Sequence, residues 1–198
     1  MRTAVVRPVL VLLAASALSG CSSDTTATTE QPTCAAGEDA AASNAVILMA
    51  QSVPTATWVP CLRSALPLGW NFHHLDARDT VSVFSLDSDR DGQEAIKVRF
   101  EESCDTAGAT EIASDREGMD RYERVTQTTP TFEGERYYVF EGGCITYEFT
   151  LTGDTNRGEA LALATQAVGA VTRDALSDQV HDESDGRLSL DPAPAEGR

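Results

Sequence analysis

Residues 95–101, Ala-Ile-Lys-Val-Arg-Phe-Glu, decide the class of fold. Ile96, Val98 and Phe100 alternate with Lys97, Arg99 and Glu101, the period-two pattern of a strand with one face buried and the other wet. The pattern returns at 144–151, where Ile145, Tyr147, Phe149 and Leu151 share a face opposite Thr146, Glu148 and Thr150. Further strands are predicted at 70–75, 80–86, 122–126 and 135–140. In the first of these, Trp70, Phe72 and His74 alternate with Asn71, His73 and Leu75. Residues 87–93 read as the turn between two strands, and Glu141-Gly142-Gly143 as a hairpin turn. Residues 103–120 are polar and turn-rich, an irregular excursion.

Two helices are expected. Asn44 caps a short one running to Gln51, after which Pro54 and Pro60 bracket an extended piece ending at Cys61. A long one is predicted over 157–176, capped by Asp154 or Thr155, with Leu161, Ala164, Val168, Val171 and Ala175 as its buried stripe. The expected fold is therefore α+β: an antiparallel sheet of about five to six strands, covered by one long C-terminal helix and cross-linked by disulfides.

The N-terminus carries a different signal. Arg2 and Arg7 form a charged region, and residues 8–18 form an apolar run too short to span a bilayer. The run closes on Leu18-Ser19-Gly20-Cys21, which resembles the lipobox of bacterial lipoproteins. That resemblance implies cleavage before Cys21, a thioether-linked diacylglycerol on its sulfur, and attachment to the outer face of the cytoplasmic membrane. The expected organisation is a signal peptide over 1–20, a lipidated cysteine and flexible tether over 21–33, one domain over 34–191 and a disordered tail over 192–198. Residues 22–33 have no bulky apolar side chain, and a tether of that length reaches about 20 Å. Lys97 is the only lysine and alanine is abundant, a bias of GC-rich genomes. The whole chain is similar to small actinobacterial lipoproteins, a likeness that implies no activity.

The formal charge of −16 argues against nucleic-acid binding, because phosphate backbones repel so acidic a chain. Membrane attachment must then come from acyl chains, at about 0.8 kcal/mol per buried CH2, rather than from a basic patch. Outside Cys21 there are four cysteines, Cys34, Cys61, Cys104 and Cys144, an even number suited to an oxidising compartment. Four cysteines allow three pairings. Cys34–Cys61 with Cys104–Cys144 is preferred because each pair closes a modest loop. Zinc is disfavoured, since there is no CxxC pair.

Three constellations carry possible chemistry. Asp87, Asp89 and Asp91 before Gly92 match the opening of a calcium loop, with Glu94 as a fourth ligand. However, Val98 stands where such a loop needs its bidentate glutamate, and the simpler reading is a polar turn. His73 and His74, with His181, suggest a metal, but adjacent strand residues point to opposite faces. Arg121, Tyr122 and Arg124 with Arg136, Tyr137 and Tyr138 would form a binding patch if their strands are neighbours. Trp58, Trp70, Leu62, Leu66 and Leu68 read as core before groove. No G-x-S-x-G elbow, HExxH pair, P-loop or Rossmann fingerprint is present. The expectation is a non-catalytic envelope binding or accessory protein without a resident cofactor, acting on an envelope protein or small ligand. The alternatives are an envelope hydrolase with a carboxylate or histidine site, and a lipid carrier with an apolar cavity.

Overall fold

A computed structural model describes residues 26–35, 41–153 and 156–191. Its centre is a pair of antiparallel strands, β5 (Gly92–Glu101) and β9 (Gly143–Leu151), with Ile96 opposite Phe149, Val98 opposite Tyr147 and Phe100 opposite Ile145. On one side of this pair β5 continues to β4 (Val81–Ser88), β3 (Trp70–Arg78) and β1 (Thr26–Thr28). On the other side β9 continues to β8 (Phe132–Phe140), β7 (Asp120–Gln127) and β6 (Thr110–Ile112). The result is one eight-stranded antiparallel sheet made of two meanders that meet at β5–β9.

Alternation gives the sheet two unlike faces. Leu75, Phe84, Val98 and Tyr147 lie in register across four strands on the inner face, all at 0% exposure. Full burial of such a side chain contributes about 1.5–3 kcal/mol. The inner face is covered by α1 (Asn44–Ser52), α2 (Arg157–Ala167) and a second, two-stranded sheet of β2 (Trp58–Leu62) and β10 (Val168–Thr172). The space between α2 and the sheet is filled, with Ala160, Leu161 and Ala164 packed in the same core as Phe149 and Leu151.

The α+β expectation of one long C-terminal helix is corrected. The described residues are mainly β, with eight strands in one sheet, two in another and three short helices; α3 (Arg173–Glu183) is the third. The predicted helix breaks at Val168–Thr172, which leaves α2 to pair with β2. The cause is local as well as tertiary. Val168, Val171 and Thr172 are β-branched, Gly169 is a poor helix former, and an added Cβ at Gly169 would sit 3.0 Å from Cys34 Sγ. Thr172 then starts α3, its Oγ1 accepting a hydrogen bond from the Ala175 N–H at 3.2 Å. Ala175, assigned to the buried stripe, is exposed, and Leu176 takes its place in the core.

Smaller differences have equally plain causes. The helix at 44–51 is present, but its N-cap position is Ser43, whose Oγ is engaged with Gln31 and Thr33 instead. Part of the expected tether is ordered: Thr26–Thr28 pair with Leu75–Ala77, and Thr33 bridges to Leu62. A free sheet edge recruits backbone through N–H and C=O groups, so these threonines needed no apolar side chains. β6 likewise forms inside the excursion predicted to be irregular.

Both disulfides are formed, Cys34–Cys61 and Cys104–Cys144. The second ties residue 104 beside the central pairing, since Cys144 lies opposite Glu101. The β8–β9 turn is docked by the 54–57 segment. Thr55 Oγ1 donates to the Gly142 carbonyl at 2.7 Å, and Thr57 donates to the Glu141 carbonyl through its N–H and its hydroxyl. At Gly142, φ is 69° and a Cβ would fall 1.9 Å from the Thr55 carbonyl oxygen. Gly142→Ala is therefore expected to destabilise the domain by at least about 2 kcal/mol, read as a lower denaturant midpoint at unchanged slope.

Candidate functional site

The helices leave the outer face of the large sheet open. One row across it reads Ser85, Lys97, Glu148, Glu135 and Arg124, on five successive strands. Charges along it are paired: Lys97 Nζ with Glu94 at 3.1 Å, Arg99 Nε with Glu148 at 3.1 Å, Arg124 Nε with Glu135 at 2.9 Å. A pocket of about 310 Å3 lies over β3–β5, lined by His74, Asp76, Arg78, Lys97 and Arg99 among others. A second, of about 350 Å3, is lined by Glu133, Glu135 and Thr150. Both include Glu94, Lys97 and Glu148, so they form one polar trough across the sheet. Burial pushes the nearby Glu101 carboxyl above its ordinary range, Arg99 opposes that, and Glu148 adds to it. The 102–109 loop is pinned to the sheet by Cys104–Cys144 and by Arg124 Nη1 donating to the Ala107 carbonyl.

At one end of the trough, β3 bulges against β4 between Phe72 and Leu75. His73 and His74 oppose Ser85 there, with ring centroids 4.8 Å apart. His73 Nδ1 lies 3.0 Å from Asp87 Oδ2, and His74 Nε2 lies 3.3 Å from Asp76 Oδ2. Adjacent in a regular strand, His73 and His74 would point to opposite faces; the bulge adds a residue and shifts the alternation, so both stand on one face. His181 is on α3 in the other layer. Ser85 Oγ is 3.4 Å from His74 Nδ1, which gives a Ser–His–Asp sequence of contacts. It is poorly built for nucleophilic attack: the O···N separation is long, Ser85 is 1% exposed, and its backbone belongs to a paired strand rather than an oxyanion-binding turn.

The four acids of the proposed calcium loop face separate tasks. Asp87 accepts from the Glu94 N–H at 2.7 Å and contacts His73, while Glu94 pairs with Lys97. Asp91 is 9% exposed, accepting from Ser88 Oγ through one oxygen and from the Gly153 N–H through the other, both at 2.8 Å. Asp89 is exposed. Among the described residues no group of three or more His, Cys, Asp or Glu side chains is gathered as for a metal ion.

The arginine and tyrosine cluster is divided. β7 and β8 are neighbours, but Tyr122, Arg124 and Tyr137 lie on the outer face, while Arg121, Arg136 and Tyr138 point inward. Tyr137 donates its hydroxyl hydrogen to Glu135, and burial together with that carboxylate pushes it up to about 12. The inner three join a network the sequence did not indicate. Arg136 donates to Glu123 at 2.8 Å and to Thr165 Oγ1 at 3.2 Å. Arg116, from the β6–β7 loop, lies 4.2 Å over the Tyr138 ring and donates to Tyr147 Oη, Thr165 O and Val168 O. Burial works against the Arg116 charge, but Tyr147, Tyr138 and Asp115 outweigh it, and its pKa is raised. Burial similarly opposes Asp115, yet the Tyr138 hydrogen bond and Arg121 and Arg116 hold its carboxyl below the usual range. One arginine in a polar loop has no periodicity, so nothing in the chain marked it for this role.

Of the apolar run, Leu62 and Trp70 are core, Trp58 and Leu66 are half-buried, and Leu68 is fully exposed. Cys21 and the 192–198 tail lie outside the described residues, as do Asp154 and Thr155. No helix among the described residues is long and apolar enough to cross a membrane. No family model matches the chain, and no curated protein or solved structure matches it either.

Asp91→Ala leaves the Gly153 N–H and Ser88 hydroxyl without their acceptor, and a loss of about 1–3 kcal/mol is expected from urea unfolding. Burial, then the hydrogen bond to Asp115, pushes the Tyr138 hydroxyl up to about 12. An unfolded tyrosine ionises near pH 10, so the fold prefers the neutral phenol; stability present below about pH 10 is lost as the pH climbs towards about 12. Tyr138→Phe should make that alkaline loss shallower between about pH 9.5 and 11.5, with a remainder from Tyr137 and Tyr147.

Proposed function

We propose that this chain is an exported lipoprotein, held by an acylated Cys21 at the outer face of the cytoplasmic membrane, which binds a polar envelope ligand in the sheet-face trough without transforming it. The trough is the observation that carries this reading: an open concavity over six strands, lined by Asp76, Glu94, Glu133, Glu135 and Glu148 with Arg78, Lys97 and Arg99. Fixed charges of both signs suit a ligand that also carries both, such as a peptide segment of the envelope, and disfavour a simple anion or an acyl chain. Two disulfides fit an oxidising compartment outside the cytosol. β1 starts at Thr26, so an anchor on Cys21 would keep the β1–β3 edge within about 18 Å of the lipid, the extended length of five residues.

Two arms test it. Intact-mass analysis of protein from its own host should find Cys21 as the acylated first residue, and an unprocessed chain would end the location. Envelope fragments passed over the immobilised domain should be retained by the parent and released by the double substitution Lys97→Glu with Arg99→Glu. Equal retention by both would remove the trough from the reading.

A further inference from the structure

The bulge in β3 brings two sequence-adjacent imidazoles to the same place, each reaching a different carboxylate. We propose that His73 and His74 together bind a divalent transition-metal ion such as zinc, nickel or copper, with water completing its coordination. His74, Asp76 and Ser85 line one end of the trough, but the metal reading rests on the imidazole pair and not on the trough's proposed ligand.

The carboxylates set the chemistry. Asp87 at 3.0 Å from His73 Nδ1 keeps the ring proton on that nitrogen and leaves the lone pair on Nε2. Asp76 Oδ2 lies 3.3 Å from His74 Nε2 as a charge contact rather than a hydrogen bond, so it brings negative charge to that ring and leaves its tautomer free to follow an ion. A ligating imidazole commonly donates its other ring N–H to a carboxylate, a backbone carbonyl or water, and Asp87 gives His73 such a partner, which fixes its tautomer and orients its ring. Spacing agrees with a shared ion. A metal about 2.0–2.1 Å from one nitrogen of each ring, at a ligand angle of about 90–110°, puts the ring centroids roughly 4.5–5.2 Å apart. The rings here are 4.8 Å apart and inclined at 73°.

Both side chains can be reached from solvent, at 39% and 34% exposure. The two aspartates offset the charge of a divalent ion without having to ligate it. Ser85 Oγ lies 3.4 Å from His74 Nδ1, so its hydroxyl has to turn away from that nitrogen when an ion takes the lone pair. His181 contributes nothing, being on α3. With only two protein ligands the site favours ions that prize imidazole, which excludes calcium and magnesium.

The test titrates the folded protein with zinc, nickel and cupric ions separately, by calorimetry, with electron paramagnetic resonance for copper. One ion per chain is expected, with nitrogen hyperfine structure from imidazole in the copper spectrum. His73→Ala or His74→Ala should weaken binding at least about tenfold, and Asp87→Asn roughly tenfold by loosening the His73 ring. His181→Ala should leave it unchanged. A copper spectrum without imidazole nitrogen, binding that survives the double His73→Ala, His74→Ala substitution, or no uptake of any of the three ions would each overturn the assignment. The nitrogen signature is read on the parent protein, so the result does not depend on a variant folding.

Discussion

The pairing of β5 with β9 holds this molecule together. Each strand belongs to its own meander, and the ladder from Ile96–Phe149 to Glu101–Cys144 is where the two become one sheet. About fifty residues separate the partners in sequence, so closing that ladder costs chain entropy before it returns any burial. Two features offset the cost. Val98, Phe100, Ile145 and Tyr147 are all fully buried on one side. At the end of the ladder the Cys104–Cys144 bond closes the chain, restricting the unfolded ensemble.

The rest of the architecture follows from the two faces of that sheet. The inner face is apolar over β3, β4 and β5, and it turns polar towards β7, where Arg136, Glu123 and Arg121 replace aliphatic side chains. A buried charge is costly unless its donors are used. Arg136 meets Glu123 and Thr165, and Arg116 meets two aromatic rings and, through Nη2, three oxygens, while Arg116 Nη1 and Arg121 Nε are left buried without a partner. These arginines fasten the β6–β7 loop and α2 to the sheet, which is a structural use of residues that would otherwise suggest a contact surface. The outer face keeps its charges in water, paired across strands at modest gain, and so remains open to a ligand.

The proposed anchorage and the proposed binding face meet at one end of the sheet. β1, which begins five residues after Cys21 in sequence, lies beside β3 at the edge of the sheet, and the imidazole pair and the trough begin on β3 itself. An anchor at Cys21 would hold the ligand-binding face near the membrane rather than projecting it into the wall. With such an anchor, the acidic character of the chain would repel anionic headgroups and leave the acyl chains as the attachment.

Much of the strand pattern was legible in the residues. The alternations at 95–101 and 144–151, the glycine turn at 141–143 and the two cysteine pairs all reflect local rules of periodicity, turn conformation and loop length, and each recurs in the fold. The bulge left a trace too, since apolar Trp70 and Phe72 give way to Leu75 and Ala77, a change of phase within one strand. Other outcomes were decided only by partners distant in the chain. Val168–Thr172 carries a helical spacing of apolar residues, yet β2 offered it a ladder, and backbone pairing beside a disulfide overrode the period. The threonines at 26–28 are strand because an edge was free, and Arg121, Arg136 and Tyr138 are interior because β7 and β8 lie in a register that turns them inward. Local sequence determines which conformations a segment can take at low cost; which one it takes depends on the hydrogen-bonding edges and apolar surfaces that the rest of the fold brings to it.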